Sequence, residues 1–417
     1  MSSRTRWNIM VEIEKLHAVD VHSHLVAQKL SAQKLSDVLG YHMLHYPLSS
    51  VGWKGAQKQA DDQESLEGML SYLPRASNTA FFSYLRRILA ELYNFKGDLD
   101  ADTLPRLAEL FNQVSTRDRA GEIVRQMRLV RSISMNERSK DNELLAKACE
   151  AETFSFREGP QNAARMIEDA RRTKGGSPQE SLKLWARQRL EKIDVLSLVT
   201  LGSWISGWAD CRKPTPAALR AVFKRSAKHE FTPDEESVIG SARLHALLDE
   251  YVRRGGKHMQ IIYGMQYLGT HPNGWHVGRT RDTMPSSLAF LAIEHPEVHF
   301  TILSGSDSKL QELNTLALSF PNVSLAGAWW NNFYPATLRQ MWRLRLEMVP
   351  AAKLSAFISD AYCVEWCYAR LRETKDVLAD VLSDMVEEGY YSLSQAVEIA
   401  KRLFFDTPNE LYFGGSL

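Results

Sequence analysis

Two histidines that lie two residues apart, His22 and His24, end a short apolar segment near the start of the sequence. In a β-strand, side chains alternate with a period of two, so both imidazoles would point to the same side. Two neutral imidazoles that converge on one point can bind a divalent cation. The pair therefore predicts a metal site. Two histidines that only belong to the core or the surface are the alternative.

Asp360 is the best candidate for a carboxylate that completes this site, because it follows the apolar run LSAFIS. An Asp in this position is also a frequent N-cap of a following helix. Two imidazoles, one carboxylate and water would give a tetrahedral site with one open position, as zinc prefers, and Fe²⁺ or Mn²⁺ would fit the same donors. We therefore predict His22, His24 and Asp360 as metal ligands, with zinc as the favoured ion.

The elements that must position these residues are short β-prone segments separated by helical stretches, a pattern typical of parallel βα units. Eight such segments would close a (β/α)8 TIM barrel of the α/β class, with catalytic groups at the carboxyl ends of the strands. The first and eighth strands of a closed barrel are neighbours, which would bring Asp360 beside the histidine pair. The predicted strands are Ala18–Leu25, Arg128–Met135, Glu152–Arg157, Val195–Gly202, His258–Met265, Val298–Gly305, Asn322–Trp330 and Lys353–Asp360.

The gap between the first and second predicted strands is too long for one crossover connection. Apolar residues recur at helical spacing in Gln63–Leu73, Thr79–Leu92 and Thr103–Val114. We interpret residues 26–120 as a helical insertion that caps the catalytic face, within a single domain of residues 1–417. One or two helices are also expected between Trp204 and Gly256.

The composition favours a small-molecule enzyme. The chain has 51 basic and 50 acidic residues, so no overall charge favours nucleic acid or a membrane surface. The four cysteines are too sparse for a disulfide framework, although Cys363 and Cys367 could in principle form a metal pair. The sequence offers no signal peptide and no apolar run long enough for a membrane helix. We expect a cytoplasmic protein, and a homo-oligomer is compatible with the sequence.

Several of these motifs resemble the uronate isomerases of the amidohydrolase superfamily. The resemblance includes the HSH of the first strand, the SD that ends the eighth, the segment Leu73–Phe95, the AWW that ends the seventh strand, and Asn409 with Tyr412-Phe413. In that family the two histidines and the aspartate hold a metal ion, which carries over to His22, His24 and Asp360. The resemblance further implies that Arg157, in FSFRE, binds the substrate, and that His42 lies near it.

Three segments depart from the family pattern. Ala361 and Tyr362 stand where the family has Ser-Arg after the aspartate, and the fifth strand reads Ile262-Tyr263-Gly264 where the family has a His before Ile-Gly. The arginines that follow the family's His-Tyr in the first loop are absent from HMLHYPLSS. Tyr362 is a candidate hydrogen-bond donor in place of the missing arginine. Trp329 and Trp330 either wall a sugar pocket or pack under the insertion.

The resemblance implies an aldose–ketose isomerase that acts on a hexuronate or related sugar acid with a bound divalent metal. In this interpretation Asp360 or a metal-bound hydroxide is the base that moves the proton, and Arg157 pairs with the substrate carboxylate. His271 and His276, in the loop after the fifth strand, are weaker candidates for an acid or base, and solvated loop histidines are the alternative. Two other functions remain open, namely an amidohydrolase-type hydrolase of a lactone, ester or amide, and a barrel without catalysis.

Overall fold

The structure is a computed structural model that describes residues 3–54, 68–100, 102–114, 117–136, 142–150, 161–205, 209–226, 228–271, 274–279, 285–305 and 309–417. Within these ranges the strands are β1 Ala18–Ser23, β2 Leu129–Ser134, β3 Leu145–Glu150, β4 Thr200–Ile205, β5 His258–Tyr263, β6 Met265–His271, β7 Gly274–Arg279, β8 His299–Ser304, β9 Val323–Ala328 and β10 Leu354–Ser355. Eight of them form one parallel sheet in the order β1-β2-β3-β4-β5-β8-β9-β10.

The sheet closes on itself where the segment after β10 meets β1. Val21 N–H donates to Phe357 O at 3.1 Å, Asp360 N–H to His22 O at 3.0 Å, and His24 N–H to Ala361 O at 2.9 Å. These bonds continue the parallel pairing across the joint between the first and last strands. The fold is therefore the predicted (β/α)8 barrel.

The strands are buried because helices cover the outside of the barrel and side chains fill the inside. Every residue of β1, β5 and β9 is buried, as expected for a parallel sheet covered on both faces. The helices that follow the barrel strands, or flank them, are Ser3–Glu14, Gln161–Arg171, Pro178–Glu191, Pro216–Phe223, Pro233–Arg253, Ala289–Glu294, Leu310–Ser319, Pro335–Met348, Val364–Glu387, Leu393–Lys401 and Thr407–Phe413. Among the described residues, no helix is long and apolar enough to span a membrane.

The chain between β1 and β2 is helical, as predicted. Its helices are Leu35–Leu39, His42–Ser50, Leu73–Ala76, Ala80–Leu92, Leu104–Val114 and Arg117–Met127. Two of them coincide with the predicted segments Thr79–Leu92 and Thr103–Val114, whereas residues 63–67 of the third predicted segment, Gln63–Leu73, lie outside the described residues. Buried side chains of the insertion, such as Leu39, Phe81 and Leu85, belong to the same hydrophobic core as the barrel strands.

Two strand predictions differ from the structure, and one hairpin was not predicted. The third barrel strand is β3, Leu145–Glu150, and the segment Glu152–Arg157 that was predicted for it lies outside the described residues. The fourth strand begins later than expected, because Val195–Ser197 forms a 3-10 turn. The antiparallel hairpin of β6 and β7 after the fifth barrel strand was not predicted. The Gly and Pro residues between His271 and His276 instead predict a loop.

Two stacked histidines lie at the amino-terminal end of the barrel. The rings of His258 and His299 are 5.5 Å apart, and His258 hydrogen-bonds the hydroxyls of Thr200 and Thr301 at 2.8 and 2.9 Å. Burial lowers the pKa of His258 well below its ordinary value and that of His299 to about 4. Both imidazoles are therefore neutral in the folded protein near neutral pH.

Acid is expected to destabilise the protein through this pair. Both pKa values lie below the ordinary 6.5, so the unfolded chain binds these protons first and stability is lost as the pH falls from 6.5 through about 4. Each imidazole contributes a slope of about 1.4 kcal/mol per pH unit to the free energy of unfolding. Urea denaturation across this range should give a smaller slope for His299→Gln than for the wild type. The exposed His17 supplies the control, and a slope that His299→Gln leaves unchanged would contradict the assignment.

Candidate metal centre

The three predicted ligands meet at the carboxyl-terminal end of the barrel. His22 lies in β1, His24 follows β1 directly, and Asp360 lies in the segment after β10. Oδ1 of Asp360 is 3.6 Å from Nε2 of His22 and 3.2 Å from Nε2 of His24. Among the described residues, these three form the one group of His, Cys, Asp or Glu side chains with ligand atoms all within 4.8 Å of one another. Cys363 and Cys367 are buried free thiols outside this group.

The geometry fits a cation between the three groups. Metal bonds of about 2.0–2.1 Å in a tetrahedral shell place neighbouring ligand atoms about 3.3 Å apart. The distances from Asp360 to the two imidazoles lie close to this value. In addition, Nε2 of His22 is buried and has no hydrogen-bond partner among the described residues. A buried lone pair of this kind is costly unless a cation or a proton occupies it.

Electrostatics supports an anionic Asp360. Burial by itself would raise the pKa of Asp360, but the contacts with His22, His24 and His42 outweigh burial and hold the pKa well below its usual range. Burial would likewise lower the pKa of His22, and Asp360 reverses this effect so that the pKa is raised. The three side chains thus place a buried negative charge next to two imidazoles, an environment that favours a positive charge between them.

The backbone of Asp360 is in the left-handed region, with φ of +52°. Among non-glycine residues, Asp and Asn tolerate this region best. The hydroxyl of Tyr41 donates to the carbonyl of Asp360 at 3.3 Å, and the N–H of Asp360 donates to His22. The following helix begins at Val364 after Cys363, so the alternative role of Asp360 as the helix N-cap is wrong.

Asp20 ties β1 to the residue before Asp360. One oxygen of the fully buried Asp20 carboxylate accepts the backbone N–H of Ser359 at 2.9 Å and that of His22 at 3.3 Å. The other oxygen accepts the hydroxyls of Ser359 at 2.6 Å and Ser132 at 3.0 Å. Burial raises the pKa of Asp20 to about 6 despite these bonds, which lower it. Asp20 thus fixes the position of the segment that carries Asp360.

His42 and Tyr362 lie next to Asp360 and His24 on the solvent-facing side of the centre. Nε2 of His42, at the start of the helix His42–Ser50, lies 3.5 Å from Oδ2 of Asp360. The ring of Tyr362 stacks on that of His24 at 5.0 Å and meets that of His42 edge to face at 5.6 Å. Tyr362 is 51% exposed. Both residues therefore lie on the solvent-facing side of the Asp360 carboxylate.

A row of tryptophan side chains extends from His42 into the core. The ring of Trp330 lies 6.4 Å from that of His42 and 4.8 Å from that of Trp329, and Trp329 meets Trp204 edge to face at 4.5 Å. Trp329 and Trp330 are almost fully buried. Trp330 therefore lies next to His42, whereas Trp329 packs against Trp204 and Trp330.

Two polar residues near the centre were missed by the sequence analysis. Glu150 ends β3 and accepts the indole N–H of Trp204 at 3.3 Å, and its charge contributes to the raised pKa of His22. Gln260, inside the barrel on β5, lies beside the ring of His22. In both cases the available signal is a polar residue within or at the end of an otherwise apolar segment.

Three other candidates are not placed. Arg157 lies outside the described residues, so its role stays a prediction. His271 and His276 belong to the hairpin strands β6 and β7, of which only the backbone is described.

Comparisons with curated proteins give short alignments. No family model matches the chain. The chain is 30% identical over 132 residues to protein fluG of Emericella nidulans, which is 31% of this chain and 15% of that protein. It is 28% identical over 105 residues to the uronate isomerase of Thermotoga maritima, which is 25% of this chain and 23% of that protein. The aligned parts thus span less than a quarter of these relatives.

Solved structures are similar over nearly the whole chain. The uronate isomerase of Thermotoga maritima matches with a TM-score of 0.78 at 16% identity, covering 99% of this chain and 98% of that one. The glucuronate isomerase of Caulobacter crescentus matches with a TM-score of 0.80 at 16% identity, covering 99% and 95%. A Lactobacillus casei protein, for which a metal-dependent hydrolase function has been suggested, matches with a TM-score of 0.60 at 13% identity, covering 98% of both chains. The protein thus shares the barrel fold of these isomerases.

Proposed function

We propose that the protein is a metal-dependent isomerase that interconverts the aldose and ketose forms of a hexuronate or a related sugar acid. The observation that carries this proposal is the meeting of His22, His24 and Asp360 at the catalytic end of a barrel similar in fold to two isomerases of uronates. Catalytic groups of (β/α)8 barrels lie at this end.

Zinc is the ion that we propose for the centre. Two imidazoles and one carboxylate are its common donor set in catalytic sites, where a fourth position stays open. The cation would polarise the carbonyl oxygen of the open-chain sugar. His22 and His24 would hold it from β1, and Oδ1 of Asp360 from the other side of the joint.

Asp360 and His42 are the groups that we propose for proton transfer. Exchange between aldose and ketose moves one proton from C2 to C1 and a second proton from the O2 hydroxyl to O1. Oδ2 of Asp360 points away from the two predicted ligands and toward Nε2 of His42, so a proton taken by the carboxylate can be shared with this imidazole. The half-exposed hydroxyl of Tyr362 would bind a substrate oxygen, and Trp330 would border the sugar.

The experiment that tests the proposal is a substrate panel with purified, zinc-loaded protein. D-glucuronate and D-galacturonate should be converted to the corresponding ketoses. Chromatography of the reaction products measures this conversion. Lactones, esters and N-acyl compounds form the other half of the panel. Cleavage of one of these compounds without turnover of either uronate would overturn the isomerase proposal. No turnover of any compound by metal-loaded protein would favour a barrel without catalysis.

The hydrolase is the second candidate, for one specific reason. Ala361 and Tyr362 follow Asp360 where the resembling family has Ser-Arg, so part of the sugar-binding shell differs. The structural likeness to the Lactobacillus casei protein agrees with this alternative.

Arg157 is predicted to bind the substrate carboxylate. A planar guanidinium pairs with a carboxylate through two hydrogen bonds, and a charged hydrogen bond contributes about 1.5–3 kcal/mol. Arg157→Ala should therefore raise KM for uronates roughly 10- to 100-fold and leave KM for a neutral aldose nearly unchanged. Arg172, which is 72% exposed, provides the control variant. Equal effects on acidic and neutral substrates would remove the proposed role.

We further propose that residues 1–417 act as one domain, with residues 26–120 as the cap over the centre. Two contacts support a cap. His42 reaches Asp360 from the insertion, and Tyr93, also in the insertion, donates to Glu365 at 2.9 Å. Glu365 lies in the helix that follows Asp360.

A further inference from the structure

Gln260 connects the predicted metal ligand His22 to the floor of the barrel. It is the third residue of β5 and is fully buried. Its Oε1 lies 3.1 Å from Nδ1 of His22, and its Nε2 donates to Val21 O at 2.6 Å and to the hydroxyl of Tyr412 at 3.1 Å. One carboxamide therefore contacts the ring of a predicted ligand, the strand that carries it and the helix Thr407–Phe413.

The contacts determine which way the amide points. A backbone carbonyl can only accept a hydrogen bond, so the amide atom that faces Val21 O must be the nitrogen. The amide oxygen then faces the ring of His22, and it can only accept. Nδ1 of His22 must therefore carry the ring proton, because a donor is needed at that position.

This assignment sets the state of the other ring nitrogen. A neutral imidazole carries one proton, so with Nδ1 protonated the lone pair is on Nε2. Nε2 is the atom that lies 3.6 Å from Asp360 and has no hydrogen-bond partner among the described residues. The ring is thus ready to bind a cation through Nε2 without a change of tautomer.

The hydroxyl of Tyr412 accepts a hydrogen bond from Nε2 of Gln260 and fixes its position. The ring of Tyr412 is almost buried and lies 4.2 Å from that of His258, and its hydroxyl also hydrogen-bonds Thr301. This fixed hydroxyl gives the second amide proton of Gln260 a partner, so that rotation of the amide would break two bonds at once. Through Gln260, Tyr412 in the helix Thr407–Phe413 therefore supports the orientation of the His22 ring.

We propose that Gln260 is a positioning residue that fixes the tautomer of His22 and thereby sets the cation affinity of the centre. The inference rests on the proposed metal centre. Groups that accept from the outer nitrogen of a ligating histidine commonly change metal affinity 10- to 100-fold. Gln260 itself does not touch the cation or the substrate.

Two substitutions with opposite expectations test the proposal. Gln260→Leu keeps the approximate volume and removes the acceptor, so the dissociation constant for Zn²⁺ should rise roughly 10- to 100-fold. Gln260→Glu keeps an acceptor beside Nδ1 but places an oxygen against Val21 O. Unlike Gln260→Leu, Gln260→Glu should therefore bind Zn²⁺ with wild-type affinity or better. The metal-free form of this variant should be less stable than the metal-free wild type.

The measurements are chelator-competition titration with Zn²⁺ and urea denaturation of the metal-free variants. A residue that only fills space would give the reverse order, with leucine tolerated and glutamate damaging to affinity. Ser324→Ala is the control, because Ser324 hydrogen-bonds His299 and Thr301 in the barrel interior without contacting Gln260. Wild-type affinity in Gln260→Leu would overturn this inference alone. A wild-type protein that binds no Zn²⁺ would overturn the metal centre as well.

Discussion

Replacement of both His22 and His24 by alanine is expected to remove the bound metal and to reduce kcat/KM by roughly three orders of magnitude or more. The two imidazoles supply two of the three protein donors, and a single carboxylate holds zinc weakly at neutral pH. Loss of the cation removes several kcal/mol of charge stabilisation from the reaction. Elemental analysis of purified protein should give about one equivalent of metal per chain for the wild type and almost none for the variant.

Two further variants make this result specific. His17→Ala changes an exposed imidazole at the other end of β1 and should keep the metal. Asp360→Asn removes the ligand charge but retains a residue type that tolerates the φ of +52°, so the fold should survive while the metal is lost. Circular dichroism checks the fold of each variant. A full equivalent of metal in the double histidine variant would contradict the assignment.

Asp20→Ala is expected to lower the free energy of unfolding by about 3–5 kcal/mol, because it leaves several buried donors without an acceptor. The backbone N–H groups of Ser359 and His22 lose their bonds to Asp20, and two serine hydroxyls lose a partner. Since Ser359 precedes Asp360, the carboxylate should also move, and metal affinity should fall with stability. Urea denaturation and zinc titration measure the two effects.

Asp20→Asn is the matched control, because the contacts divide cleanly between the two oxygens. Oδ1 of Asp20 accepts from backbone N–H groups, which an amide oxygen can replace. Oδ2 faces the hydroxyls of Ser359 and Ser132, which can rotate to accept from an amide nitrogen. Asp20→Asn should therefore cost less than about 1 kcal/mol. Equal losses for Ala and Asn would show that the negative charge, and not the bonding pattern, is what matters.

The parts of the fold that sequence could predict are those with strong local patterns. The segment Ala18–Leu25, which contains β1, is rich in buried apolar residues, so the strand and the histidine pair at its end were predicted together. The amphipathic helices Ala80–Leu92 and Leu104–Val114 show apolar residues at helical spacing and were also predicted within one residue. That Asp360 lies beside the histidines followed from closure of the barrel.

The misplaced elements have weak or misleading patterns. β3 (LAKACE) contains no β-branched or aromatic residue, whereas Glu152–Arg157 (ETFSFR) has one Thr and two Phe residues in alternation, which is the pattern that predicts a strand. As a result, Glu150 was not recognised as a strand-end carboxylate. Asp20 and Gln260 were missed for another reason. Their roles depend on partners distant in the chain, Ser359 and Tyr412, and no local period indicates such pairs.

The position of the centre affects how readily the first and last strands of the barrel separate. His22 and Asp360 lie on the two sides of the place where the sheet closes, and they come from nearly opposite ends of the polypeptide. A cation shared between them would cross-link the first and last strands of the barrel and add its binding free energy to their association. Chelators should therefore expose this junction to proteases before the rest of the barrel, and newly synthesised protein could capture metal only after its last strand has emerged.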